Sequence, residues 1–342
     1  MKVFNQNITL SELFCQYPHA RDFFQPLGGT AGREDCGVGE YFMLLDDALL
    51  ESCGFIREEL PERLLQYLEF IRQLQGEKDT VHSITIIGGQ DKSGRPEDLE
   101  ITIRAGEIVC IVGPTGSGKS RLLADIEWLA QGDTPTGRRI LINGQLPASD
   151  MRFAVEHKMV AQLSQNMNFI MDLPVREYIA MHAESRLRTD VSAVTENILA
   201  EANQLSGEHF DGDSPITALS GGQSRALMIA DTAFLSQSPI VLIDEIENAG
   251  IDRQRALALL VDRQKIVLMA THDPFLALMG DRRLIIGNGG IRSIIETTEQ
   301  ERANLHVLKQ VDAVVFSVRQ KLRAGDLIEQ NLAALFRRCL ED

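Results

Sequence analysis

The run Ile108-Val109-Cys110-Ile111-Val112, followed at once by Gly113-Pro114-Thr115-Gly116-Ser117-Gly118-Lys119-Ser120, constrains this chain more than any other feature. Five apolar residues in succession read as a strand buried on both faces, as in the interior of a parallel sheet. The glycines then let consecutive backbone N–H groups turn toward one point, and a helix follows whose positive end adds to them. Such a cradle is built for phosphate. Lys119 reaches the β- and γ-phosphates of a nucleotide and the Ser120 hydroxyl coordinates Mg²⁺, so ATP and Mg²⁺ are the expected ligands.

A second apolar strand, Pro239-Ile240-Val241-Leu242-Ile243, ends on Asp244-Glu245. Solvated acids at a strand end are ordinary in isolation. With a phosphate loop about 125 residues upstream they acquire roles. Asp244 is placed to hold Mg²⁺ through its water shell, and Glu245 to polarise the attacking water.

Between these two elements stands Leu219-Ser220-Gly221-Gly222-Gln223. It resembles the signature motif of ATP-binding-cassette ATPases. The resemblance implies that Ser220, Gly221, Gly222 and Gln223 act in trans, on the γ-phosphate held by a second cassette. One cassette per chain then implies a head-to-tail homodimer that sandwiches two nucleotides. The same family likeness identifies Gln165 of Leu163-Ser164-Gln165 as the sensor of γ-phosphate and metal, with Gln162 as the alternative. It identifies His272 of Met269-Ala270-Thr271-His272-Asp273 as the switch histidine, which would hold the water and Glu245 in position. Asp252 is the candidate for the aspartate of the loop between cassettes, although it comes one residue later than usual and the loop lacks its proline. The motifs fall in the family's order over about 220 residues. The implied fold is α/β: a P-loop NTPase of the cassette type, with a mainly parallel sheet and a helical signature subdomain at about 163–235.

The chain also departs from the family. No Phe, Tyr or Trp occurs between residues 71 and 119, where most members place the aromatic that stacks on adenine. That neighbourhood reads Gly88-Gly89-Gln90-Asp91-Lys92-Ser93-Gly94-Arg95, leaving Arg95 or His82 as substitutes, or loose recognition of the base. The stretch Asp244-Glu245-Ile246-Glu247-Asn248 is also similar to recombination-type ATPases, but the long inserted arm of that group is missing.

At 342 residues the chain has room for more than this core. Residues 1–78 read as a helical domain, 79–297 as the ATPase domain and 298–342 as a helical extension. Thr9 caps a helix start, Pro61 suits the first turn of another, and Leu305, Leu308, Val311, Val315, Val318 and Leu322 form an apolar stripe that Gly325 ends. The segment Ile8–Gly28 resembles a small helical domain often attached to redox and metal-handling proteins. Cys15, Cys36 and Cys53 share this region, but no C-x-x-C pair is present and buried or incidental thiols are the simpler reading.

The formal charge of −15 argues against general nucleic-acid binding, which needs clustered Lys and Arg. No apolar run approaches membrane-spanning length and no signal peptide is visible, so a cytoplasmic protein is expected, peripheral at the membrane if it serves a transporter. The load that hydrolysis drives is a protein partner. The leading expectation is a soluble enzyme remodelled or activated by dimer closure, on the strength of the N-terminal addition. The alternative is a membrane permease on a separate chain, with this chain as its ATP-binding subunit.

Overall fold

The computed structural model describes residues 8–75, 81–148, 151–152, 158–164, 169, 171–244 and 250–341. The chain divides into two compact units, Met1–Thr80 with Glu184–Thr189, and Val81–Ala183 with Asp190–Asp342.

The first unit contains the helices Leu10–Gln16, Ala20–Phe24, Val38–Met43, Asp47–Ser52 and Leu60–Gln75. Thr9 starts it with a reciprocal cap: its hydroxyl accepts the Glu12 N–H at 3.2 Å, and the Glu12 carboxylate accepts the Thr9 N–H at 3.1 Å. Two donors that a helix start leaves open are thereby satisfied. The apolar positions converge on one core that includes Leu10, Leu13, Phe24, Tyr41, Leu60 and Leu64. The Tyr41 hydroxyl donates to Gly29 O at 2.7 Å, so the ring is buried and its polar tip is satisfied. Cys53 Sγ donates to Pro26 O at 3.2 Å. Burial, aided by the Glu40 carboxylate, pushes the Cys36 thiol up, the opposite of what a reactive thiolate needs. Among the described residues no group of three His, Cys, Asp or Glu is arranged to hold a metal ion.

In the second unit the strands among the described residues are β1 (Ser83–Ile87), β2 (Glu100–Arg104), β3 (Ile108–Val112), β4 (Arg139–Ile142), β5 (Val160–Leu163), β6 (Ile240–Asp244), β7 (Ile266–Ala270), β8 (Arg282–Gly287) and β9 (Gly290–Glu296). They form an antiparallel sheet in the order β2-β1-β4 and a larger one in the order β5-β6-β7-β3-β8-β9. In the larger sheet β5, β6, β7, β3 and β8 are parallel, and β9 returns antiparallel to β8. This is the α/β architecture expected of the motifs. Parallel strands covered on both faces are apolar throughout, and β7 is buried at every position.

Alternate residues of β3 enter different cores. Val109 and Ile111 pack with Leu122, Leu123 and Ile126 of the helix Lys119–Glu127, while Cys110 belongs to the cluster built with the helices Val175–Ser185, Val191–Leu205 and Gly221–Phe234. The one-residue alternation of a strand thus joins both halves of the unit to the phosphate loop. Beyond β9 the helix Glu299–Ala324 opens with a Thr298/Glu301 capping box and stops at Gly325, whose φ of +81° suits glycine. Its Leu305 and Leu308 pack on the core, whereas Phe316 and Leu322 are exposed. Among the described residues no helix is long and apolar enough to cross a membrane.

Candidate functional site

The register of the large sheet brings the motifs together. Leu163 of β5 faces Ile243 of β6, which faces Met269 of β7. One step on, Asp244 faces Ala270, and Ala270 faces Ile111 of β3. The next residues on these adjacent strands are therefore Ser164, Thr271-His272 and Val112-Gly113, all at the carboxyl edge, with Asp244 among them. Open parallel sheets bind ligands at this edge, where the backbone leaves the ladder and side chains converge. Glu245 follows Asp244 and Gln165 follows Ser164 in the chain, and both lie outside the described residues. The alternative residue, Gln162, sits inside β5, and with its amide oriented to donate, the nitrogen lies 3.2 and 3.1 Å from the Glu127 carboxylate oxygens. That contact directs it toward the end of the helix Lys119–Glu127.

The phosphate loop closes on itself through Ser117 N–H to Pro114 O at 3.1 Å. Lys119 folds back over it, donating to Gly113 O at 2.8 Å. The helix after the loop has Gly118 as N-cap at φ +112°, no side-chain cap and no carboxylate in its first turn. Its first N–H groups have no intrahelical partner, an arrangement that suits an anion. The glycines are demanded by contact. A Cβ on Gly113 would stand 2.5 Å from Ile286 O and 2.8 Å from Ser117 Oγ, and one on Gly118 would stand 2.8 Å from Gly289 Cα. The Ser117 hydroxyl is buried there without a hydrogen-bond partner. These features fit a phosphate chain. Ser120 and Asp244 supply the hard oxygen donors that suit Mg²⁺, which at phosphate sites takes few protein groups and completes its shell with phosphate and water.

Beneath this loop lies a charge network that the sequence did not reveal. The turn between β8 and β9 is Asn288-Gly289, with φ of +56° and +85°. Gly289 N–H donates to Ser117 O at 2.6 Å, and Gly289 O accepts from Arg138 at 2.8 Å. Arg138 is wholly buried and also donates to Glu97 at 2.5 and 2.8 Å and to Asp125 at 2.9 Å. Glu97 in turn accepts the N–H groups of Gly89 and Ile291. Burial pulls the Glu97 carboxyl up, but the Arg138 guanidinium and the two N–H donors outweigh it and hold the pKa below the usual value. Asn-Gly is a strong hairpin signal that could have located the turn. No pattern in the sequence marks Arg138.

The signature residues begin the helix Gly221–Phe234. Ser220 is its N-cap: the hydroxyl accepts Gln223 N–H at 3.3 Å, and the Gln223 side chain accepts Ser220 N–H at 2.8 Å. Ser220 and Gly221 are exposed, and a Cβ on Gly221 would meet nothing within 4 Å. Further along this helix, Arg225 and Met228 line a small gap together with Ser164 and Asp244. Asp252 caps the helix Arg253–Asp262, accepting Arg255 N–H at 3.0 Å. His272 is exposed at the end of β7, and the next residue, Asp273, caps the helix Pro274–Met279. Arg253 joins Asp273 at 2.7 Å to Asp312 of the helix Glu299–Ala324 at 2.5 Å.

The two substitutes for a base-stacking aromatic part company. His82 precedes β1, and its backbone N–H donates to Asn143 Oδ1 at 2.8 Å. The phosphate-loop side of β1 is its other end, about 20 Å away at strand rise. Arg95 lies in the turn on that side, where its N–H donates to Asp91 Oδ1 at 3.0 Å.

Comparison with known proteins bears on the family and the fold. Residues 96–248 match the family model described as ABC transporter. An uncharacterized ABC transporter ATP-binding protein of Methanocaldococcus jannaschii is 55% identical over 251 residues, covering 72% of this chain and 94% of that protein. The lipoprotein-releasing system ATP-binding protein LolD of Psychrobacter arcticus is 31% identical over 200 residues, 56% of this chain and 86% of its own length. Among solved structures, cbiO1 from Clostridium perfringens, part of the ABC transporter complex cbiONQ, aligns with a TM-score of 0.50 at 21% identity, over 67% of this chain and 94% of that one. At that identity the likeness is one of fold.

Proposed function

Because this chain belongs to the ATP-binding-cassette family of ATPases, we propose that it hydrolyses MgATP between two copies of itself and powers a transporter whose permease is a separate chain. The observation that carries the catalytic part is the shared carboxyl edge of β5, β6, β7 and β3, which collects Ser164, Asp244, His272 and the phosphate loop. The preference for a transporter over a soluble enzyme as partner, the reverse of the leading expectation from sequence, rests on the relatives. One relative named above is an ABC transporter ATP-binding protein, and another is the ATP-binding protein of a lipoprotein-releasing system. The sequence after Gln165 reads Asn166-Met167-Asn168-Phe169-Ile170-Met171, and its apolar Met171 is exposed, as a segment that meets a permease would be.

In this reading Lys119 and the N–H groups of the loop hold the β- and γ-phosphates, and Ser120 and Asp244 hold Mg²⁺, which supplies charge neutralisation when bound. Glu245 accepts the proton of the attacking water, and His272 and Gln165 position the water and sense the γ-phosphate. Ser220, Gly221, Gly222 and Gln223 of the second copy close the site, and Asp252 lies toward the same boundary. The helix end at Ser220 is exposed and ends in N–H donors, as a surface that meets an anion on another molecule must.

Two measurements test this. Glu245→Gln with ATP should elute as a dimer from a sizing column and barely turn over; a monomer under saturating ATP would end the sandwich reading. Affinity purification of the same variant with ATP from its native cell extract should bring down a permease. A soluble enzyme in its place would restore the remodelling alternative.

A further inference from the structure

The turn that stands in place of a base-stacking aromatic carries a lysine directed at the phosphate loop. Lys92 Nζ donates to Gly116 O at 3.0 Å, while Lys119 Nζ donates to Gly113 O at 2.8 Å. Two ammonium groups thus meet the backbone of one short loop from different elements.

The position of Lys92 is built. Its N–H donates to Asn288 O at 2.9 Å. The Asp91 carboxylate accepts the N–H groups of Ser93 at 2.7 Å and Arg95 at 3.0 Å, and the Asn288 amide at 3.1 Å. Those bonds, led by the Arg95 N–H, hold the Asp91 carboxyl below its usual range, so the clamp stays ionised at neutral pH. The stem of Lys92 lies on Gly289, where a Cβ would stand 2.7 Å from Lys92 Cγ; Gly289 in turn lies on Gly118. No side chain separates these three layers. An exposed lysine is therefore delivered to the loop by two interlocked turns.

Its partner there, Gly116 O, is a neutral carbonyl at the surface, and a bond to it is weak. An anionic phosphate oxygen is the stronger partner for the same ammonium. We propose that Lys92 is a second cation of the nucleotide site, which takes an oxygen of the phosphate chain from the side where other family members stack the base. Binding is then weighted toward the phosphates, and adenine and guanine nucleotides gain equally from this lysine. The proposal rests on the reading of Gly113–Ser120 as a triphosphate loop.

The test is equilibrium titration of the full chain with fluorescent ATP and GTP analogues, at low and high salt, for wild type, Lys92→Met, Lys92→Arg and Lys119→Ala. Lys92→Met should weaken both nucleotides about 5- to 20-fold and flatten the salt dependence, as loss of one partly screened charged bond implies. Lys92→Arg should stay near wild type. Binding by Lys92→Met at wild-type strength would overturn the proposal, and so would a loss confined to one base. Lys119→Ala separates the two readings: if it loses binding while Lys92→Met does not, the triphosphate loop stands and only Lys92 falls. If Lys119→Ala binds as wild type, the loop assignment itself is wrong.

Discussion

Gly289 donates its N–H to Ser117 O at 2.6 Å, and through that bond the tip of the β8–β9 hairpin supports the phosphate loop. The contact is tight on both sides, since Gly118 and Lys92 leave no room for a side chain between them. Gly289→Ala adds a Cβ at a φ of +85° and against Lys92 Cγ. It should cost about 1–3 kcal/mol of stability. Nucleotide affinity should fall with it, read by fluorescent-nucleotide titration alongside urea denaturation. An Ala variant that matches wild type in both would show that the hairpin tip does not set the loop.

Arg138 lies under the same tip, wholly buried between Glu97 and Asp125. Removing one member of a buried ion network strands the others, and Arg138→Met should cost about 3–5 kcal/mol. Trp128, the single tryptophan, caps the end of the helix Lys119–Glu127, so its fluorescence reports unfolding of the ATPase unit apart from the N-terminal unit. A loss under about 1 kcal/mol would mean that the network is no more than a surface pair in its effect.

The same network fixes a sign for pH. Glu97 titrates below its ordinary 4.5 in the folded chain, so the unfolded chain binds the proton more readily. Its contribution is full above about pH 4.5 and is lost as pH falls through the folded pKa. The urea midpoint of the ATPase unit, followed by Trp128, should be flat near neutrality and drop on acidification below that value. Glu97→Gln should flatten the drop while lowering the plateau.

Arg253 ties Asp273, next to His272, to Asp312 in the helix Glu299–Ala324. Asp312 is partly exposed, so Asp312→Asn should cost under about 1 kcal/mol globally. Its signature is local. Hydrogen exchange across the helix Glu299–Ala324 should quicken while the melting of the ATPase unit barely moves. If exchange in that helix is unchanged, Arg253 does not hold it.

Apolar runs made the central strands legible. β3, β6 and β7 are buried on both faces, and the residues read from sequence as Ile108–Val112 and Ile240–Ile243 lie in the first two. Local chemistry also carried the caps at Thr9 and Gly325, because the partners sit within four residues. β8 was hidden because it opens with Arg282 and Arg283, which read as solvent-facing but pair with Glu107 and Glu301. β4, β5 and β9 are short or polar at one face and gain their identity only from a neighbouring strand. The motif residues of the site were named from sequence, whereas its support was not. Arg138 finds Glu97 forty-one residues away, and only the fold brings such charges together. Lys92 carries no signal of its own in the sequence, because the family pattern at that place marks an aromatic and a lysine matches no part of it.

The cap at Ser220 carries a consequence for the direction of its proton. A serine hydroxyl has one hydrogen and two lone pairs, and one lone pair here is engaged by Gln223 N–H. What the residue can still give to an oxyanion on another molecule is its hydrogen. Aspartate would cap this helix as well as serine does, yet it would offer an acceptor and a negative charge in place of that hydrogen. Position 220 would therefore distinguish two demands in the proposed sandwich: the helix asks only for an acceptor, and a phosphate held by a second copy would ask for a donor.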